Sequence, residues 1–231
     1  MVLDPRYKAV GFDMDGTFMK TKIDYVKLAN VVFNELIETG VPESAILVTD
    51  GAARELESGV DWLIKHGKEK EAHALYRRIS GRLTMVEMEY TDISRPFDGA
   101  VEAVTALRKK GYKTGILTRG GREYAECILK KSNVLGLFDA VVARDDFPDN
   151  EAKPSPKAMV NLGNLLGVRP EEILFLGDHM IDWLTARDSG AGFYGVLTGG
   201  YRLEDWNAAD PNIRTIDGVA SLLEMINDHV A

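Results

Sequence analysis

From Pro96 onward, short apolar runs and helix-periodic stretches take turns with almost no gap between them, and this alternation constrains the chain more than any other feature. Such a pattern reads as successive βαβ units, with parallel strands and helices laid over both faces of the sheet. The expected strands are residues 113–117, 140–143, 173–176, 193–197 and 214–216, and residues 9–12 join the set from the N-terminal side. Helices are expected at 101–110, 122–131, 156–166, 182–188 and 219–226, the third opened by Pro156. The fold class that follows is α/β, a Rossmann-like parallel sheet core flanked by helices.

Between the first strand and Pro96 the character changes. Apolar residues recur at helical spacing over residues 25–38, 52–66 and 70–89, and no strand pattern interrupts them. A crossover this long exceeds what one helix needs, so an inserted α-helical cap domain is expected over residues 18–95. The core domain then comprises residues 1–17 and 96–231.

Composition narrows the partners. The net charge of −8 offers no basic field for nucleic acid or an anionic membrane, so a small polar or ionic partner is expected. Cys127 is the single cysteine, which excludes an internal disulfide and a cysteine-based zinc site and suits a reducing compartment. No apolar stretch approaches the ~20 residues of a membrane span and none reads as a signal peptide, so a cytoplasmic monomer or homodimer is expected.

In an open parallel sheet, ligands sit beyond the carboxyl ends of the strands. The first strand here runs into Asp13 and Asp15, the second into Thr118; the third leads within a short loop to Lys153, and the fourth ends at Asp178 with Asp182 one helical turn further on. Taken singly, each has an ordinary explanation. Asp15, Asp178 or Thr118 can cap a helix or form a turn, Asp182 can be a first-turn acid, and Lys153 can be a solvated surface residue. Their coincidence along four successive strand ends points to a shared site. Converging carboxylates repel by roughly 4 kcal/mol per close pair at an effective dielectric near 20, and a divalent cation relieves that. Oxygen-only ligands without a His or Cys pattern suit Mg²⁺. Lys153 and Thr118 then offer a positive charge and a hydroxyl to the oxygens of an anion, best a phosphoryl group.

The motifs D-M-D-G-T (13–17), I-L-T-R-G-G around Thr118, K-P-S-P from Lys153 and L-G-D-H-M-I-D (176–182) resemble, in order and strand placement, those of the haloacid dehalogenase superfamily of phosphohydrolases. The likeness runs from residue 6 to about 220 and is strongest to the phosphoglycolate phosphatase-like members with a helical cap. It implies that Asp13 is a nucleophile forming an aspartyl-phosphate and that Asp15 is general acid and then general base. It further implies that Mg²⁺ is bound by Asp13, the backbone carbonyl of Asp15 and Asp178, with Asp182 assisting directly, through water or by an orienting contact. Thr118 and Lys153, with Gly16 and Arg119, are the implied phosphate-binding residues. Gly16 also has a local reason, a turn out of a strand that needs positive φ or close backbone approach. Gly120 and Gly121 either present N–H groups to an anion at a helix start or are plain turn glycines. Arg119 and His179 depart from the family's usual residues; Arg119 either adds a cation near the leaving group or faces solvent, and the role of His179 stays open.

The presence of Asp15 disfavours a dehalogenase or phosphonatase, because neither needs an acid there. A sugar phosphomutase keeps both aspartates and remains an alternative, as does a catalytically silent phosphate-binding or signalling protein on this fold. The expected substrate is a small phosphorylated metabolite. Arg54, Lys65, Arg77, Arg78 and Arg82 are the cap cations available to an acidic leaving group.

Overall fold

The computed structural model describes residues 3–47 and 52–227. In chain order the elements are β1 (Ala9–Phe12), β2 (Met19–Lys20), α1 (Tyr25–Glu38), α2 (Ala52–Lys65), α3 (Glu69–Met88), β3 (Arg95–Pro96), α4 (Ala100–Lys109), β4 (Lys113–Leu117), α5 (Arg122–Lys131), β5 (Ala140–Val142), α6 (Pro156–Leu166), β6 (Ile173–Gly177), α7 (Met180–Ser189), β7 (Gly192–Val196), α8 (Leu203–Ala209), β8 (Arg214–Ile216) and α9 (Leu222–Asn227). The chain divides into two compact units, Met1–Thr21 with Ile93–Ala231, and Lys22–Asp92.

The first unit holds a six-stranded sheet in the order β5-β4-β1-β6-β7-β8, with every pairing parallel. Strands β1 and β6 are buried along their whole length, as continuous apolar runs in a doubly covered sheet must be. The order reverses at β1: the chain proceeds from β1 to β4 and β5 on one side, then crosses to β6 on the other. A crevice opens at such a switch point, beyond the carboxyl ends of the strands. Register levels those ends, because Phe12 pairs with both Ile116 and Leu176. Asp13, Thr118 and Asp178 therefore leave the sheet within one residue of the same height.

Helix α6 shows why the sequence folds as it does here. Pro156 stands in its first turn, Gly167 ends it in the left-handed conformation, and Ala158, Met159, Leu162 and Leu166 form the stripe that it buries. That stripe packs with Leu117, Ile173 and Phe175 in one apolar cluster. Truncating Leu162 to alanine there costs about 2–5 kcal/mol.

The second unit is helical. Leu28, Val32 and Leu36 of α1, Leu56, Val60 and Leu63 of α2, and Leu75, Ile79, Leu83 and Val86 of α3 repeat every three or four residues and close a core of their own. Asp24 caps α1 by accepting the Lys27 amide at 2.8 Å.

Three local features differ from the expectation. Met19–Lys20 and Arg95–Pro96 form a two-stranded antiparallel ribbon where no strand was expected. Two-residue strands carry no period, so only the long-range pairing defines them. Helix α8 follows a glycine pair and buries only Trp206, too little for an apolar stripe. Residues 219–226 begin as a 3₁₀ turn, Val219–Ser221, before α9.

Candidate active site

The end of β1 is held in place by its neighbour: the Asp13 amide donates to the Leu176 carbonyl at 2.8 Å, continuing the ladder one residue past the strand. The chain then reverses, with Phe18 N and Met19 N donating to Met14 O at 3.1 and 2.7 Å and Gly16 N donating to Met19 O at 2.9 Å. Gly16 sits at φ +83°, and a Cβ there would lie 2.6 Å from Asp178 Oδ2. Both the conformation and the close approach require glycine. This turn buries Asp13 and leaves Asp15 partly exposed, with Asp15 Oδ1 accepting from the hydroxyl of Tyr124 at 2.7 Å.

Lys153, 1% exposed, lies at the centre of the site. Its Nζ donates to Asp13 Oδ1 at 2.5 Å and to Asp182 Oδ1 at 2.6 Å, and stands 5.6 Å from the Phe175 ring centroid. Asp182 Oδ2 accepts from the His179 amide at 3.1 Å, so each of its oxygens has a donor. His179 is the N-cap of α7, its Nδ1 accepting the Ile181 amide at 3.4 Å. Asp178 is wrapped by the loop after β7. Gly200 N donates to its Oδ2 at 2.7 Å, Thr17 Oγ1 to its Oδ1 at 3.3 Å, and Thr198 Oγ1 ties the same loop to Gly16 O at 2.7 Å. A side chain at Gly199 would overlap the Asp178 carboxylate.

Thr118 is buried at the end of β4, its Oγ1 accepting the Gly120 amide at 2.9 Å. Arg119 donates to the Lys153 carbonyl at 3.0 Å, and buried Arg144 donates to the Arg119 carbonyl at 2.8 Å. The guanidinium of Arg119 therefore ties the β4 loop to the lysine loop.

The electrostatics follow from this crowding. Burial pushes the Asp13 carboxyl well above its ordinary range, and Asp182, Asp178 and Asp15 push the same way, against Lys153. Burial and Asp182 likewise raise Asp178. Burial alone would lower the Lys153 ammonium, but Asp13 and Asp182 outweigh it and raise it. One cation thus faces three acids. Single carboxylate oxygens of Asp13, Asp178 and Asp182 all lie within 4.8 Å of one another. An all-oxygen, under-neutralised acidic set of this kind suits a hard dication.

A family model for haloacid dehalogenase-like hydrolases matches residues 7–190. The chain belongs to this family. As a haloacid dehalogenase-like hydrolase it is an enzyme, and it is similar to curated phosphatases. It is 25% identical over 202 residues to a phosphoglycolate phosphatase of Haemophilus influenzae, covering 86% of this chain and 89% of that one. It is 28% identical over 231 residues to the pyrophosphatase PpaX of Bacillus cereus, covering 96% and 98%. An N-acetylmuramic acid 6-phosphate phosphatase of Pseudomonas aeruginosa is 28% identical over 201 residues, covering 87% and 86%. Among solved structures, a hydrolase from Pseudomonas syringae superposes with a TM-score of 0.63 at 22% identity, covering 97% of this chain and all of that one.

In this hydrolase the structure brings Asp13, Lys153, Asp178 and Asp182 into contact range and hangs Asp15 on Tyr124. Sequence reasoning missed Tyr124, Thr198, Gly199 and Gly200, and gave Thr17, the last residue of the D-M-D-G-T motif, no role of its own. Only T-G-G directly after the β7 run carried a local signal, a glycine pair at another strand end. Two candidate cations of the helical unit are corrected: Arg78 Nε donates to Glu35 Oε2 at 2.5 Å and Arg82 pairs with Oε1, so both serve a buried glutamate. Lys65 and Arg77 are exposed, and the Arg54 side chain lies outside the described residues.

Proposed function

We propose that this hydrolase is a Mg²⁺-dependent phosphatase acting on a small phosphate monoester of the phosphoglycolate kind through an aspartyl-phosphate on Asp13. The observation that carries the reading is the buried Asp13 carboxylate, fixed by Lys153 at 2.5 Å beside Asp178 and Asp182, with Asp15 two residues away on a separate support. Asp13 attacks phosphorus in line, forming its Oδ–P bond as the P–O bond to the leaving group breaks. Asp15 gives its proton to the departing oxygen, then takes one from the water that attacks phosphorus and restores Asp13. Lys153 and the O–H of Thr118 hold the phosphoryl oxygens. Bound Mg²⁺ supplies charge neutralisation at these oxygens, and Asp13, Asp178 and the Asp15 carbonyl are assigned to hold it. Asp182, with both oxygens engaged, fits the orienting role toward Lys153.

The cytoplasm is the proposed compartment; among the described residues no helix is long and apolar enough to cross a membrane. Purified protein with Mg²⁺, tested against phosphoglycolate, N-acetylmuramic acid 6-phosphate, pyrophosphate and p-nitrophenyl phosphate, is expected to release phosphate fastest from phosphoglycolate and to stop on chelation. Absence of metal-dependent release from every ester overturns the reading.

A further inference from the structure

We infer that Tyr124 is a positioning residue for the acid–base carboxyl of Asp15; the inference rests on the phosphatase reading above. The Tyr124 ring is fully buried in the first turn of α5, and its hydroxyl reaches across 109 residues of sequence to Asp15 Oδ1 at 2.7 Å. Its seat is shaped for it: a Cβ at Gly120 would lie 2.9 Å from Tyr124 Cδ1, so the ring lies against bare backbone at the end of β4. A phenol titrates near 10 and is therefore a donor at neutral pH. Asp15 stands on a partly exposed turn, where a carboxylate on its own would sample several rotamers. A buried ring cannot follow that motion, so the hydrogen bond restrains the carboxyl. Oδ1 accepts a hydrogen bond from the phenol, which holds the Asp15 side chain against a buried, immobile group. In the first half-reaction the Asp15 carboxyl gives its proton to the leaving oxygen as the bond from that oxygen to phosphorus breaks; in the second, it receives a proton from the attacking water. Misplacement of a catalytic group by a fraction of an ångström to one ångström is costly even when the group itself is intact.

The test uses the full chain with Mg²⁺ and compares kcat/KM for phosphoglycolate, an alkyl ester whose leaving oxygen needs a proton, with that for p-nitrophenyl phosphate, whose leaving group departs without one. Tyr124→Phe keeps the ring and is expected to lower kcat/KM about tenfold for phosphoglycolate and by less than about twofold for p-nitrophenyl phosphate, a fraction of the full general-acid effect. Tyr124→Met, whose flexible side chain fills the space of the ring, is expected to show the same split. In an Asp15→Asn background, Tyr124→Phe is expected to change the ratio of the two esters no further. Equal losses on both esters, no loss, or a split that persists without the Asp15 carboxyl each overturn the positioning role while leaving the phosphatase reading intact. A wild-type chain that turns over neither ester overturns both.

Discussion

Glu35 in the helical unit and Asp13 in the sheet unit are both acids taken almost wholly out of water, and their surroundings treat them in opposite ways. Glu35 meets two arginines, so its charge is over-compensated and its carboxyl is held below the usual glutamate range: burial pushes it up, but Arg82 and Arg78 more than offset this. Asp13 shares one lysine with Asp182, beside Asp178, and its carboxyl is pushed up by burial and by its acidic neighbours. One cluster is complete as it stands; the other is short of countercharge, which the proposed dication would supply. A buried acid whose charge is already met stabilises a fold, whereas one left short of countercharge costs stability until a ligand supplies it.

The largest effect that probes this contrast is on turnover. Asp13→Asn is expected to lower phosphate release by at least about a thousandfold while the circular dichroism spectrum stays that of the wild type. A variant retaining a tenth of wild-type activity removes Asp13 as nucleophile and with it the distinction between the two clusters. Next in size is the metal. Mg²⁺ at a hundred times its dissociation constant adds about 2.7 kcal/mol, or about 5–10 °C in melting temperature for a chain this long. The shift is expected to vanish in Asp178→Asn and to survive in Glu35→Gln; calorimetry that finds the reverse inverts the assignment. Smaller again, Glu35→Gln is expected to lower the melting temperature by a few degrees, limited because both arginines are half in water, with kcat unchanged. The smallest effect is a difference of sign with pH. Stability from Glu35, whose value is lowered, is present above its unfolded value near 4.3 and lost as pH falls through the lower folded one. Asp13, whose value is raised, costs the metal-free fold stability as pH rises through that value. On acidification the wild type should therefore lose its advantage over Glu35→Gln and close its deficit against Asp13→Asn, as read from paired melting curves.

The sheet was legible because doubly buried strands write themselves as unbroken apolar runs, and A-V-G-F and I-L-F-L-G need no partner to be recognised. The strand ends were legible for the same reason: once the runs are aligned, Asp13, Thr118 and Asp178 fall at one edge. What stayed hidden depends on contacts between distant residues. Tyr124 reads as one more apolar residue on an amphipathic helix, and nothing local says that its hydroxyl ends on Asp15. Gly199 is unremarkable until the Asp178 carboxylate is seen to occupy the space a side chain would take. Arg78 and Arg82 looked available because a glutamate on another helix, more than forty positions away, gives no sign in sequence of being buried.

The small ribbon of Met19–Lys20 against Arg95–Pro96 has a consequence for how such a chain diversifies. It belongs to the sheet unit and brings entry to and exit from residues 22–92 to neighbouring strands, about 4.8 Å apart. To the sheet, the whole helical insertion is topologically the tip of a hairpin. Closing such a tip costs little more when it grows, about 0.6 kcal/mol for each doubling in length. The excursion can therefore be lengthened, shortened or exchanged for another body while the register of β1 and the start of α4 stay where they are, so the insertion and the sheet can change on separate stretches of one gene.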